Sequence, residues 1–190
     1  MKLELPIALS NRHIHLSQGD LEVLFGEGYE LTHMRDLSQP GQYACEERVD
    51  VVGPKNTIKG VRVLGPTRSN TQLEVSISDA FKLGVEPVIR NSGDIKGTPG
   101  AKIVGPKGEV EIEEGIIVAA RHIHMHTKDG EKFGVKDNDI VKVKTEGPRA
   151  VLFENVLIRV DDNFALEMHV DIEEGNAAGV KNGDIVELIK

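Results

Sequence analysis

Arg12-His13-Ile14-His15-Leu16 returns as Arg121-His122-Ile123-His124-Met125, and this echo decides how the chain reads. With no gap, Asp20 then matches Asp129. Residues two apart in a strand point to the same side, so each pair offers two imidazoles converging on one spot. Imidazole is the commonest protein ligand for zinc. A lone His-x-His carries little weight. Two copies, each preceded by Arg and each entering a short helix, are hard to produce by accident.

Working outward, Gly and Pro punctuate the sequence at short intervals. Between them lie β-rich runs at 48–52, 60–64, 72–77, 87–90, 101–104, 110–112 and 116–120. This rhythm predicts a small antiparallel barrel or sandwich, and no window carries a long helical period. A second repeat links Gly134-Val135-Lys136-Asp137-Asn138-Asp139-Ile140-Val141 to Gly179-Val180-Lys181-Asn182-Gly183-Asp184-Ile185-Val186. The shared unit is a strand, a short helix and a closing Gly. The helical pieces fall at 17–25, 79–83, 127–133 and 171–178. Ser17 and Asp79 read as N-caps. Gly26, Gly84, Gly134 and Gly179 read as stops, where glycine tolerates positive φ. The expected class is all-β, with two related β-rich domains.

Composition sets the limits. The chain has 190 residues, 39% hydrophobic and 28% charged, with a net charge of −8. That length allows one large or two small cores. Aromatics are scarce, so cores must come from Val, Ile and Leu. The acidic balance offers no nucleic-acid footprint. The single cysteine, Cys45, forbids an intrachain disulfide. The first residues are too polar and short for a signal peptide, and no run is long enough to cross a membrane. A cytoplasmic location is expected.

Three further residues join the histidine pairs by position. His169, in Leu166-Glu167-Met168-His169-Val170, and Glu74, in Gln72-Leu73-Glu74-Val75, both sit at strand ends before short helices. Each alone reads as a structural histidine or a surface carboxylate; their shared place in the repeated unit marks them as ligands. Two His and one Glu, or three His, make a zinc site with an open position, as catalytic sites require. Arg68, in the donor-rich loop Gly65-Pro66-Thr67-Arg68-Ser69-Asn70-Thr71, offers a guanidinium for phosphate. His126 stands where Ser17 stands; it reads as a solvated helix-start residue ahead of a fifth ligand.

These stretches in this order resemble the PduL-type phosphotransacylases, the phosphate propanoyltransferases. The resemblance covers nearly the whole chain. It is carried by Ser10-Asn11-Arg12-His13-Ile14-His15-Leu16-Ser17, by Gly65-Pro66-Thr67-Arg68 with Thr71-Gln72-Leu73-Glu74, by Arg121-His122-Ile123-His124-Met125, and by Met168-His169-Val170-Asp171. It implies two small β-barrels capped by short helices, with a dinuclear zinc site between them. It also implies a discontinuous layout: 1–11 plus 120–190 as one barrel, 12–25 plus 47–119 as the other, and 26–46 as an excursion. One zinc would be held by His13, His15 and Glu74, with the coenzyme A sulfur as a further ligand. The other would be held by His122, His124 and His169, with Arg68 holding phosphate beside it. Ser10, Arg35, Arg62, Leu64 and Asn176 match positions lining the coenzyme A path. A homodimer is implied. Members packaged in bacterial microcompartments often begin with an amphipathic extension, whereas this sequence starts almost at its first strand, which weighs against encapsulation.

The expected activity is therefore phosphate acyltransfer: acyl-coenzyme A plus phosphate to acyl phosphate plus coenzyme A, and the reverse, with propanoyl or acetyl as acyl group. Direct attack by phosphate is the simpler route. An acyl-enzyme on Cys45 competes poorly, because its acidic neighbours raise a thiol's pKa. Three other readings stay open: a dinuclear zinc hydrolase of thioesters or phosphoesters, a cupin-like metal- or sugar-binding barrel, and an unmetallated structural module.

Overall fold

β-branched runs cut by Gly and Pro do not sustain long helices, and the computed structural model, which describes residues 2–190, is built mainly of strands with short helices between them. In chain order the elements open with β1 (Leu3–Ser10), β2 (His13–His15), α1 (Gln18–Phe25), β3 (His33–Asp36), β4 (Tyr43–Val52) and β5 (Thr57–Gly65). They continue with β6 (Gln72–Glu74), α2 (Ile77–Leu83), β7 (Ile89–Arg90), β8 (Ala101–Val104), β9 (Glu109–Ile112) and β10 (Ile116–Ala119). The last are β11 (His122–Met125), α3 (Thr127–Phe133), β12 (Ile140–Lys144), β13 (Leu152–Val160), β14 (Glu167–Asp171), α4 (Ile172–Ala178) and β15 (Ile185–Ile189). The mainly β class with short capping helices is what the punctuation predicts.

The chain divides into two compact units. Unit 1 is Met1–Ser10 with Ala120–Lys190, and unit 2 is Asn11–Ala119. Unit 1 is a closed barrel in the order β1-β14-β11-β13-β12-β15. Its first strand runs parallel to β14 and antiparallel to β15, so the beginning of the chain is built into the C-terminal half. Unit 2 is a half-barrel, a nine-stranded sheet in the order β7-β10-β6-β2-β5-β4-β8-β9, with β3 paired to β4 off this path. Among the described residues no helix is long and apolar enough to cross a membrane.

Each unit has its own aliphatic core. In unit 2 it gathers Ile14, Leu16, Leu21, Leu24, Val63 and Leu73. In unit 1 it gathers Ile7, Ile123, Met125, Val143, Ile158 and Met168. Ile14 and Leu73 face each other across β2 and β6 and are both 0% exposed. Such a side chain contributes about 1.5–3 kcal/mol of burial, an upper figure because the unfolded chain is itself partly collapsed.

The second repeat has a physical basis. In unit 1, Lys136 N donates to Asp139 Oδ2 at 2.7 Å, and Lys181 N donates to Asp184 Oδ2 at 2.8 Å. Val135 N reaches Gly130 O, as Val180 N reaches Gly175 O. Gly134 and Gly179 both adopt the left-handed conformation, at φ 64° and φ 69°. The same turn thus feeds β12 and β15, which pair with each other.

Several boundaries differ from the sequence reading: β4 and β5 begin earlier than the runs at 48–52 and 60–64. The strand expected over 72–77 stops at Glu74, and α2 begins at Ile77. Its N-cap is Ser76, whose Oγ accepts from Asp79 N at 3.2 Å; Asp79 is not the cap. Ser76 and Asp79 are both short polar residues that suit helix starts, and only the completed helix distinguishes them.

Candidate active site

The histidine pairs are placed by strand pairing. β2 runs antiparallel to β6, which sets His13 opposite Glu74 and His15 opposite Gln72. β11 runs antiparallel to β14, which sets His122 opposite His169 and His124 opposite Glu167. Each unit therefore gathers four polar side chains on one face of two neighbouring strands. Counting to the helix caps exposes the repeat. His15 precedes its cap Ser17 by two residues, Glu74 precedes Ser76, His124 precedes His126, and His169 precedes Asp171. His126 is thus a helix cap, its Nδ1 accepting from Lys128 N at 3.1 Å.

The arginines before the pairs are clamped in the same way. Arg12 Nε lies 2.6 Å from Asp79 Oδ2, and Arg121 Nε lies 2.9 Å from Glu174 Oε1. Asp79 and Glu174 are each the third residue after a cap, on the helix that follows the partner strand. Both ends of each strand pair are thereby tied to a helix. The sequence reading gave Asp79 the role of a cap and did not single out Glu174.

In unit 2 the ring orientations are fixed from behind. His13 Nδ1 lies 2.8 Å from Asn11 O, which turns Nε2 toward Glu74 Oε2 at 3.5 Å. His15 is 2% exposed, and its Nδ1 is buried without a hydrogen-bond partner. Its pKa is pushed down to about 3, by burial first and then by Arg68 and His13. It is neutral at physiological pH and its bare nitrogen has a lone pair to give. Glu74 is pushed up by burial, but His13, the Ser92 hydroxyl, His15 and Arg68 outweigh this and hold it below the usual carboxylate range. Arg68 Nη1 donates to Ser92 Oγ at 3.1 Å. Ser92 Oγ donates in turn to Glu74 Oε1 at 2.8 Å. Gln72 and Ser92 are site residues that the sequence reading passed over. Gln72 had a signal, since it stands as far before Ser76 as His13 stands before Ser17.

Unit 1 repeats the pattern. His122 Nδ1 lies 2.8 Å from Ala120 O, as His13 does from Asn11 O. His124 Nδ1 is buried without a partner, as in His15. Its pKa is pushed down to about 2, by burial and then by His122 and His169. The three rings crowd together: centroids lie 4.7 Å apart for His122–His124, 5.2 Å for His122–His169 and 4.8 Å for His124–His169. Phe164 covers His124 at 4.3 Å. Glu167 Oε2 lies 3.3 Å from His169 Nε2.

These residues fit metal ions in donor chemistry. A buried imidazole nitrogen with no partner is costly unless something binds it. A backbone carbonyl behind a ligating ring is the usual means of fixing its tautomer. Both features occur in each unit at equivalent histidines. Among the described residues no three His, Cys, Asp or Glu side chains stand ready to hold an ion without adjustment. The rings of His122 and His169 stack at 14°, so at least one must turn for their nitrogens to converge.

The residues matched to a coenzyme A path are divided between the units. Ser10 ends β1 opposite Asp171, and Asn176 is an exposed residue of α4, both in unit 1. Arg35 is exposed on β3, and Leu64 is half-buried on β5, both in unit 2. Arg62 also lies on β5, opposite His13; its Nη1 donates to Cys45 O at 2.6 Å. Cys45 is fully buried on β4, and its thiol is pushed up to about 11 by burial and then by Glu47.

The family model described as phosphate propanoyltransferase matches residues 6–181. A phosphate propanoyltransferase of Thermotoga maritima is 58% identical over 185 residues, 97% of this chain and 88% of that protein. A phosphate propanoyltransferase of Clostridioides difficile is 52% identical over 184 residues, 97% of this chain and 88% of that protein. One from Listeria monocytogenes is 49% identical over 184 residues, with 97% and 86% covered. The match spans both histidine pairs, Glu74, Arg68 and His169, and the chain belongs to the phosphate propanoyltransferase family.

Proposed function

We propose that this chain is a phosphate acyltransferase, exchanging a propanoyl or acetyl group between coenzyme A and inorganic phosphate. The observation that carries the reading is the twofold occurrence of one donor arrangement. A carbonyl-backed histidine and a buried histidine with a bare nitrogen face a third donor across a strand pair, once in each unit. A buried cluster of this kind is built to be filled.

His13, His15 and Glu74 would hold one zinc ion, and His122, His124 and His169 another. Bound zinc would supply a Lewis acid for the charge developing on the thioester and a partner for thiolate sulfur. The chain's own residues do the rest. Arg68 offers parallel N–H donors to phosphate oxygens, a geometry that lysine cannot reproduce. It draws phosphate out of its hydration shell and aims one oxygen at the thioester carbon. The new C–O bond forms as the C–S bond breaks, and coenzyme A leaves as thiolate. Orientation alone can supply up to about 7–11 kcal/mol of a barrier. Ser10, Arg35, Arg62, Leu64 and Asn176 are assigned to coenzyme A. Cys45, buried and hard to ionise, takes no part.

The test is a coupled assay with acetyl- and propanoyl-coenzyme A, with and without phosphate and chelator. Acyl phosphate should appear only when phosphate is supplied, and chelation should abolish it. Release of free acid without phosphate would identify a hydrolase instead.

A further inference from the structure

We propose that Ser92 is a positioning residue that sets Arg68 and Glu74 against one another, with Gln72 as its brace, so that phosphate binding and metal binding in unit 2 depend on one hydroxyl. The inference rests on the reading of Arg68 as phosphate clamp and Glu74 as metal ligand.

A serine hydroxyl has one hydrogen and two acceptor lone pairs. Ser92 uses all three. Its Oγ accepts from Arg68 Nη1 at 3.1 Å and from Gln72 Nε2 at 2.9 Å, and donates to Glu74 Oε1 at 2.8 Å. The directions are forced, because guanidinium and amide nitrogens only donate and an ionised carboxylate only accepts.

Gln72 closes the figure. Its Nε2 has two hydrogens, one for Ser92 and one for Glu74 Oε1 at 2.8 Å. Its Oε1 accepts from Gly93 N at 2.7 Å, which pins the loop carrying Ser92. Gln72 itself is 2% exposed. Glu74 Oε1 therefore receives two hydrogen bonds, and Oε2 is turned toward His13 Nε2 at 3.5 Å. One carboxylate oxygen is anchored and the other presented.

The repeat explains why a glutamine stands there. Gln72 holds the place in the second half of unit 2 that His13 holds in the first. An imidazole would offer at most one donor to each neighbour. The amide supplies two donors and an acceptor, enough to bind Ser92, Glu74 and Gly93 together. The anchor for Ser92 is backbone: it sits between Asn91, whose carbonyl accepts from Asp94 N, and Gly93.

Loss of this hydroxyl should be felt at both ends. Groups that orient a metal ligand typically govern affinity or activity by about 10–100-fold. Wild type, Ser92→Ala and Ser92→Thr are compared for melting temperature, for KM toward phosphate and toward propanoyl-coenzyme A, and for zinc affinity by competition with a chromophoric chelator. The zinc titration is run in a His122→Ala/His124→Ala background, so that unit 2 is read alone. Ser92→Ala should weaken zinc binding and raise the phosphate KM, each by about 10–100-fold. Ser92→Thr should restore both. Should Ser92→Ala lose its native melting, Ser92→Cys keeps the size, weakens the bonds and carries the same comparison. A folded variant in which either the zinc or the phosphate readout stays at the wild-type value overturns the proposal. A wild type that binds no zinc in unit 2, or makes no acyl phosphate, overturns the functional reading beneath it.

Discussion

His13 stands directly opposite Glu74 in the antiparallel β2–β6 pair, its Nε2 3.5 Å from the carboxylate Oε2. His122 stands in the same relation to His169 across β11–β14. The third donor of each unit is thus delivered by strand register, which is stiff, and not by a loop. Each cluster should therefore be independent of the other. His13→Ala and His122→Ala should each lower zinc content from about two ions per chain to about one. The double variant should hold none. Elemental analysis of dialysed protein gives the count, and single variants that keep both ions would refute the assignment.

Arg68→Lys preserves the charge and removes the paired donors. Charge-assisted hydrogen bonds are worth about 1.5–3 kcal/mol, so the phosphate KM should rise by about tenfold or more. The KM for acyl-coenzyme A should hold steady. Initial-rate kinetics with each substrate varied in turn separates the two, and an equal rise in both constants would remove Arg68 from the phosphate site.

Cys45 is 0% exposed, with its thiol pushed up to about 11 by burial and by Glu47. It should be silent toward a thiol reagent in the native protein and react once the protein is unfolded. Cys45→Ser should keep its turnover, at a stability cost of about 1–3 kcal/mol for the buried hydroxyl. Loss of turnover in a folded, metal-loaded Cys45→Ser protein would revive an acyl-enzyme.

Glu47 makes stability depend on acidity. It is 6% exposed; its Oε1 accepts from Tyr29 Oη at 2.9 Å and from Thr32 N at 3.0 Å. Burial pushes its pKa up, yet the hydrogen bonds from Thr32 and Tyr29 win and hold it below the ordinary 4.5. A carboxyl depressed in the folded state stabilises above its unfolded pKa and loses that contribution as pH falls through its folded pKa. The urea midpoint of the metal-free protein should therefore drop as pH falls below about 4.5. Glu47→Gln should cost about 1–3 kcal/mol at neutral pH and flatten the decline. Equal slopes for the two proteins would show that Glu47 is not the group responsible.

Much of this was legible because period-two placement and helix caps are local rules. The two His-x-His pairs, the helices after them and the stops at Gly84, Gly134 and Gly179 follow from neighbours in sequence. What escaped depends on distant partners. Asp79 has the composition of a cap, but its carboxylate is taken by Arg12 from another strand. Ser92 lies in an unremarkable loop, and nothing near it in sequence says that Arg68 and Glu74 meet there. Gln72 was within reach, since counting back from Ser76 places it where His13 stands. Strand register turns such counting into contact, and register is fixed only when the sheet exists.

The membership of β1 in the C-terminal barrel has a consequence for synthesis. β1 is made before unit 2, while the strands that receive it, β14 and β15, are made after it. All of unit 2 is made in the interval and can close on its own contacts while β1 waits as a solitary edge. An unsatisfied strand is a template for stray pairing with another nascent chain. Crowded polysomes would favour such stray pairing through β1, and a chaperone that shields Leu3–Ser10 would relieve it.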